Sequence, residues 1–327
     1  MVTRFMAEIA HCCSHTIQLE LCGFDFTLSA LHELLKSLPS LRKLILTYSV
    51  LIPGPEPTHD VFIETLMLKS IRLSVHSTPS ESSTSVLSRL LGLFSTIRHL
   101  HIEDSLPQDL VSPEHFTLPS NVTLTSLALH NRVDEYGAFL AKLQATATIH
   151  SLRHLDLSFI HGRDRFYRTR DFLPNVKHSL RSIRLGMVDG MSPWTPHEVG
   201  GDIAEAYRKL SLSSFNSLET ISLLIPYANH RDHALLHLSA VDTLPLRIRN
   251  LTLEFYFSVL TEVECFSDID MWADLESKVT RFTRLEAFNC VAVSHTGSER
   301  YPLSDAAQRE LRERLPRLSA KALLRFR

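Results

Sequence analysis

A six-residue pattern, apolar-x-x-apolar-x-apolar, returns ten times along the 327-residue chain. Its clearest copies are Leu124/Leu127/Leu129, Leu152/Leu155/Leu157 and Leu180/Ile183/Leu185. Around them lie Leu41/Leu44/Leu46, Leu68/Ile71/Leu73, Ile97/Leu100/Ile102, Leu218/Ile221/Leu223 and Ile248/Leu251/Leu253. Two degenerate copies close the series, Ser14/Ile17/Leu19 and Leu285/Phe288/Cys290. First slots are 27 to 30 residues apart, except for steps of 38 after Leu180 and 37 after Ile248. The last four residues of each copy alternate apolar and polar, the period of a strand with one buried face. Between copies the spacing becomes helical. Leu28, Leu31, Leu34, Leu35 and Leu38 fall on one helical face, and Pro39 ends that run. Val86, Leu87, Leu90, Leu91 and Phe94 repeat this spacing after Ser80–Ser85, which supplies an N-cap; Tyr136, Phe139, Leu140 and Leu143 do so again.

One strand and one helix cannot bury an apolar face alone, so successive copies must stack. A fixed period of this size around an L-x-x-L-x-L core is the sequence sign of leucine-rich repeats. The expected fold is therefore α/β: a leucine-rich-repeat solenoid, a curved horseshoe of ten strand–helix repeats with a parallel sheet on its concave face. A single array is expected over 1–327. It comprises an N-terminal capping helix at 1–13, repeats over 14–293 and a C-terminal cap over 294–327. In the cap, Ala306–Leu315 has helical spacing. Two features depart from the common repeat. The slot three residues past the third apolar position holds Ser49, His76, Ser105, Arg132, Ile160 and Val188, so no Asn or Cys ladder is expected. The long steps accommodate a Gly- and Pro-rich loop at 187–202 and an acidic stretch around Glu262–Glu276, read as a longer outer helix containing Trp272.

Composition narrows the functional classes. A formal net charge of −2 argues against general nucleic-acid binding. No segment approaches a membrane-spanning apolar run, and the N-terminus lacks the apolar core of a signal peptide. Five cysteines, Cys12, Cys13, Cys22, Cys265 and Cys290, have no disulfide-framework spacing, which suits an intracellular chain of the cytoplasm or nucleus with reduced thiols. Nucleotide-binding, hydrolase and metalloprotease motifs are absent from the sequence, so neither a catalytic residue nor a cofactor is expected. His99, His101, His130, His154 and Asp156 are metal-capable, but neighbouring strands lie about 4.8 Å apart and no three converge, so no metal is expected. His11, Cys12, Cys13, His15 and Cys22 lack a C-x-x-C pair.

The residues between the signature positions define the inner face. Its charged and histidine members are Lys43, Arg72, His99, His101, Glu103, His130, His154, Asp156 and Arg184, a band rich in Arg and His. Such a band suits an acidic protein segment held by charge-assisted hydrogen bonds. Trp194 and His197 in the 187–202 loop, with Trp272, are further candidates, because exposed aromatics anchor interfaces.

The phrases SLPSLRKL (37–44), FSTIRHL (94–100), HSLRHL (150–155) and NSLETI (216–221), with the tail ERLPRLSAKALLRF (313–326), resemble the leucine-rich region of fungal F-box proteins. The resemblance covers nearly the whole chain. It implies a non-catalytic protein–protein interaction scaffold, the substrate-recognition part of an SCF-type ubiquitin ligase adaptor. In that family an N-terminal F-box docks a Skp-type adaptor, whereas here the first strand arrives by Ile17 and leaves no room for that module. The chain is then an F-box protein lacking its first segment, or a repeat-only relative without ligase docking. A regulator or enzyme acting through the 187–202 loop is the remaining alternative.

Overall fold

Strands form on the six-residue pattern because its second and third apolar slots stack from one strand to the next. In this computed structural model the described residues are 15–51, 66–77, 90–104, 122–131, 136–160, 162–187, 203–227, 237–257, 266, 269–294 and 300–326. The chain divides into two compact units, Met1–Leu152 and Arg153–Arg327. The expected capping helix at 1–13, residues 86–89 of the second expected helix and the loop beyond Met187 lie outside the described residues.

In the first unit, β1 (Gln18–Cys22) is followed by β2 (Asp25–Phe26), β3 (Lys43–Leu51), β4 (Leu66–Ser77), β5 (Phe94–Asp104) and β6 (Ser126–Asn131). The parallel order is β1-β3-β4-β5-β6, with β2 also on β3. Leu44, Ile71, Leu100 and Leu127 share one register row, and Leu46, Leu73, Ile102 and Leu129 another. Leu44, Leu46, Leu100, Ile102, Leu127 and Leu129 are buried. At the first copy the phase differs by two residues from the expected one. Leu19 and Leu21, rather than Ile17 and Leu19, align with Leu44 and Leu46, and Ile17 is 65% exposed. The Ile17 carbonyl instead accepts from the N–H groups of Arg42 and Lys43 at 2.8 and 3.0 Å. A one-residue slip would flip every side chain, but a two-residue slip keeps each on its face and escapes an alternation test.

Helix α1 (Leu28–Lys36) buries Leu28, Leu31, Leu34 and Leu35, and Leu38 is buried just beyond it. Thr27 caps it, Oγ1 accepting from the Ala30 N–H at 3.2 Å. Phe94, expected on a helix, opens β5 instead; 90–92 are helical and end at the turn before it. α2 (Tyr136–Leu143) buries Phe139, Leu140 and Leu143 as its spacing requires. In α3 (Thr148–Ser151), the Thr148 hydroxyl accepts from Leu124 N and donates to the Val122 carbonyl, which ties the approach to β6 to this turn. Ser49, in the slot where no ladder is expected, is buried and donates to the Leu21 carbonyl at 3.3 Å.

The second unit contains β7 (His154–Ile160), β8 (Ser182–Met187), β9 (Thr220–Tyr227), β10 (Asn250–Phe257) and β11 (Ala287–Val293), paired in parallel in that order. Leu155, Ile183, Ile221, Leu251 and Phe288 form one buried row, and Leu157, Leu185, Leu223, Leu253 and Cys290 the other. The connections carry α4 (Gly162–Val176), α5 (Ile203–Lys209), two short 3-10 turns and α6 (Ile269–Val279). α6 is the helix expected in the acidic stretch, but Trp272 does not face a partner. It is fully buried, its ring edge-on to Phe255 and Phe266 at centroid distances of 6.1 and 5.5 Å. The cause is the α6 face that Trp272 shares with Leu275 and Val279, one and two turns on, which packs into the core.

Beyond β11, β12 (Arg300–Tyr301) pairs antiparallel with Ala292 and Val293, and β13 (Leu324–Arg325) pairs parallel with Phe288 and Asn289. These two short strands cover the β11 edge, whose unpaired backbone would otherwise template further pairing. Between them run α7 (Asp305–Arg314), capped by the Ser304 hydroxyl, and α8 (Pro316–Ala320). Glu276 of α6 accepts the N–H groups of Arg317 and Leu318 at 2.7 and 2.9 Å, satisfying the open N-terminus of α8. The result is a mixed α/β fold with mostly parallel strands. Among the described residues no helix is long and apolar enough to cross a membrane.

Candidate functional site

Period two sends the slots between the signature leucines to the opposite sheet face. In the first unit, Lys43, Ser70, His99 and Ser126 share one register row and Ile45, Arg72, His101 and Ala128 the next. Glu103 pairs with His130 one row further. Lys43, His99, His101 and His130 are half-buried, and Ile45 is buried. Arg72 and Glu103 belong to this face by backbone register; their side chains fall outside the described structure. The structure brings His101 and His130 together, Nε2 to Nδ1 at 3.1 Å, with the rings edge-on. Such a contact needs one nitrogen to donate and the other to accept, so it cannot survive protonation of both rings.

The corresponding slots of the second unit are packed differently. Arg184 of β8 is buried and its guanidinium spans two carboxylates. Nη1 donates to Asp156 Oδ2 at 3.1 Å, and Nε and Nη2 both donate to Glu254 Oε2, at 2.7 and 2.5 Å. The other Glu254 oxygen accepts from Arg300 of β12, and Asp156 Oδ1 accepts from the Ser158 N–H at 3.1 Å. Arg184 reaches β10 across β9, where its register partner is the small Ser222, followed by Thr252. Two guanidinium groups and two carboxylates alternate, with Arg184 and Glu254 buried, Asp156 half-buried and Arg300 exposed at the outer end. Burial opposes the Arg184 charge, but Asp156 and Glu254 outweigh it and hold its pKa above the ordinary arginine value. Glu254 is fully buried, and two arginines supply hydrogen bonds to its carboxylate oxygens there.

Beside this cluster lies an apolar patch of Leu224, Val291 and Val293, with Tyr256 packed against it. Leu224 leans over Gly186, its register partner on β8. A Cβ on Gly186 would stand 2.3 Å from the Ser158 carbonyl oxygen and 2.6 Å from Leu224 Cβ, so only glycine fits there.

Of the expected inner-face residues, half-buried Asp156 and buried Arg184 meet each other, and His154 is exposed. Arg184 therefore departs from the open-face expectation, because it is buried and Asp156 and Glu254 hold its guanidinium. Glu254 was legible: it occupies the slot after the third apolar residue, as Ser158 and Gly186 do. Arg300 had no signal, since β12 lies outside the repeat. Trp194 and His197 lie outside the described residues, and Trp272 belongs to the core. Among the described residues no group of three or more His, Cys, Asp or Glu side chains is arranged to hold a metal ion. Scanned against models of known protein families and against curated proteins, the chain matches none.

Proposed function

We propose that the chain is a non-catalytic protein–protein interaction scaffold, a leucine-rich-repeat solenoid whose inner face holds an acidic segment of a protein partner. The observation that supports this most is the in-register stacking of the signature residues beside inner slots of varied chemistry. A repeated apolar core leaves those slots free to differ, from Lys43 and His99 to Leu224, and extended surfaces of this kind suit recognition of a long partner. In the first unit the half-buried residues Lys43, His99, His101 and His130 carry the contact; Arg72 and Glu103 share the face. The resemblance to fungal F-box proteins supplies the setting: substrate recognition for an SCF-type ubiquitin ligase in the cytoplasm or nucleus, with a Skp-type adaptor docking where an F-box precedes the repeats.

Affinity purification from native extract, read by quantitative mass spectrometry, tests this with wild type and a Lys43→Glu/His99→Glu variant. The variant should lose the protein substrate while keeping its melting temperature and any Skp-type adaptor. Recovery of the same proteins by both would place recognition off the inner face.

A further inference from the structure

The connections entering β9, β10 and β11 lie side by side and enclose a groove of about 450 Å³. Its floor is apolar, with Phe215 and Leu244 buried, while Leu246 on its rim is 62% exposed. Leu246 is one of four large apolar side chains left exposed among the described residues. Arg247 and Arg284, both exposed, line the same groove. Among the described residues Arg247 is steadied by one bond, Nη1 to the Asn216 carbonyl at 2.9 Å, which leaves the rest of its fork untouched by them. Arg284 makes no ion pair among the described residues. Among the described residues no carboxylate lines this groove. An adjoining cleft of about 520 Å³ shares Asn216, Arg247 and Arg284 and adds Arg249, Glu219 and Glu286. There Glu286 is already taken by Arg249, at 2.6 Å.

We infer that this groove is a second docking site, one that binds an acidic protein segment carrying an apolar side chain. The apolar residue packs against Leu246 over the Phe215 and Leu244 floor, and flanking carboxylates take the open forks of Arg247 and Arg284. Charge complementarity selects the occupant: two arginines with no carboxylate among the described lining residues stand out on a chain whose formal net charge is −2. Arginine forks match carboxylates two bonds at a time. Nucleic acid is disfavoured, because its single strands stack on aromatic side chains and the exposed apolar group here is a leucine. The site lies on the connections rather than on the inner slots, so it stands independently of the inner-face reading.

The test pans a displayed library of random linear peptides against the whole chain and measures the enriched peptides, fluorescein-labelled, by anisotropy. Enriched sequences should combine Asp or Glu with an apolar residue. Arg247→Glu and Arg284→Glu should each weaken binding by about tenfold or more, the loss of one charge-assisted contact. Leu246→Ser should weaken it too, Arg284→Lys should retain part of it, and all four variants should keep the wild-type melting temperature. Lys43→Glu on the inner face should leave it unchanged. The inference fails if no acidic–apolar class is enriched, or if the charge reversals leave binding intact. It fails equally if Lys43→Glu abolishes binding, or if labelled polyuridylate RNA binds the groove in the peptide's place. A change of oligomeric state in the Arg247→Glu or Arg284→Glu variant, seen by sedimentation, would mean that a second copy covers the groove, and would also overturn it.

Discussion

The inner slots of the two units come from one repeating pattern and carry charge to different ends. In the first unit, Lys43, His99, His101 and His130 are half-buried and keep contact with solvent. In the second, Asp156, Arg184, Glu254 and Arg300 satisfy one another, and Glu254 is fully buried. A charged side chain in the first setting costs little and can turn toward a partner. In the second, buried Arg184 and Glu254 depend on their neighbours, because an unpaired ion away from water is expensive. Arg and His in equivalent sequence slots are therefore not equivalent chemically. Burial divides binding candidates from structural ones.

Breaking the buried cluster should give the largest effect. Glu254→Ala leaves buried Arg184 with Asp156 as its one remaining partner in the cluster and should destabilise by about 3–5 kcal/mol in urea unfolding, whereas Lys43→Ala should stay within about 0.5 kcal/mol. Replacing the Arg184–Glu254 pair together, by Met and Leu, should cost less than Glu254→Ala alone. A loss below about 1 kcal/mol for Glu254→Ala would mean the cluster is solvated like the first unit's face.

Leu155 and His154 sharpen the contrast between the two faces of one strand. Leu155→Ala should cost about 2–5 kcal/mol, and His154→Ala less than about 0.5 kcal/mol. Equal losses would show that core and inner face are not separated by strand alternation. Gly186→Ala should cost about 1–3 kcal/mol through the clash with Ser158 and Leu224. Adding Leu224→Ala should recover only part of that, since the Ser158 backbone oxygen stays in place.

The smallest effect is a pH dependence in the first unit. His32 is buried on α1, and burial lowers its pKa, with Lys36 adding to this and Glu33 opposing it. The unfolded chain takes up a proton near pH 6.5 while folded His32 does not, so stability should fall as pH drops below about 6.5. His32→Leu should flatten that slope between about pH 7 and about pH 5, measured as urea midpoints; an unchanged slope would assign it to other groups.

Much of this architecture was legible residue by residue. Leu44, Leu100, Leu155 and Leu251 announce their strands through short-range alternation, and Leu28, Leu31, Leu34 and Leu35 announce α1 through helical spacing. Trp272 could have been placed as well, since Leu275 and Val279 follow it at helical spacing and turn its ring inward. Ile17 could not: a phase error of two preserves alternation, and only pairing of Leu19 with Leu44 exposes it. The cluster was half legible, because Asp156 and Arg184 stood in recognised slots, while Arg300 sits on a strand with no repeat to reveal it.

Periodicity is a local property, so the chain alone dictated which residues become strands, which helices they alternate with and which leucines share a buried row. Pairing across long separations lies beyond that reach. Arg184 meets Glu254 70 residues away, and β12 and β13 meet β11 to close its edge, only once the strands are side by side. The same holds for desolvation. Whether an inner-slot charge is a free hand or a fixed strut depends on what comes to lie beside it, and that is set by packing, not by the spacing of leucines.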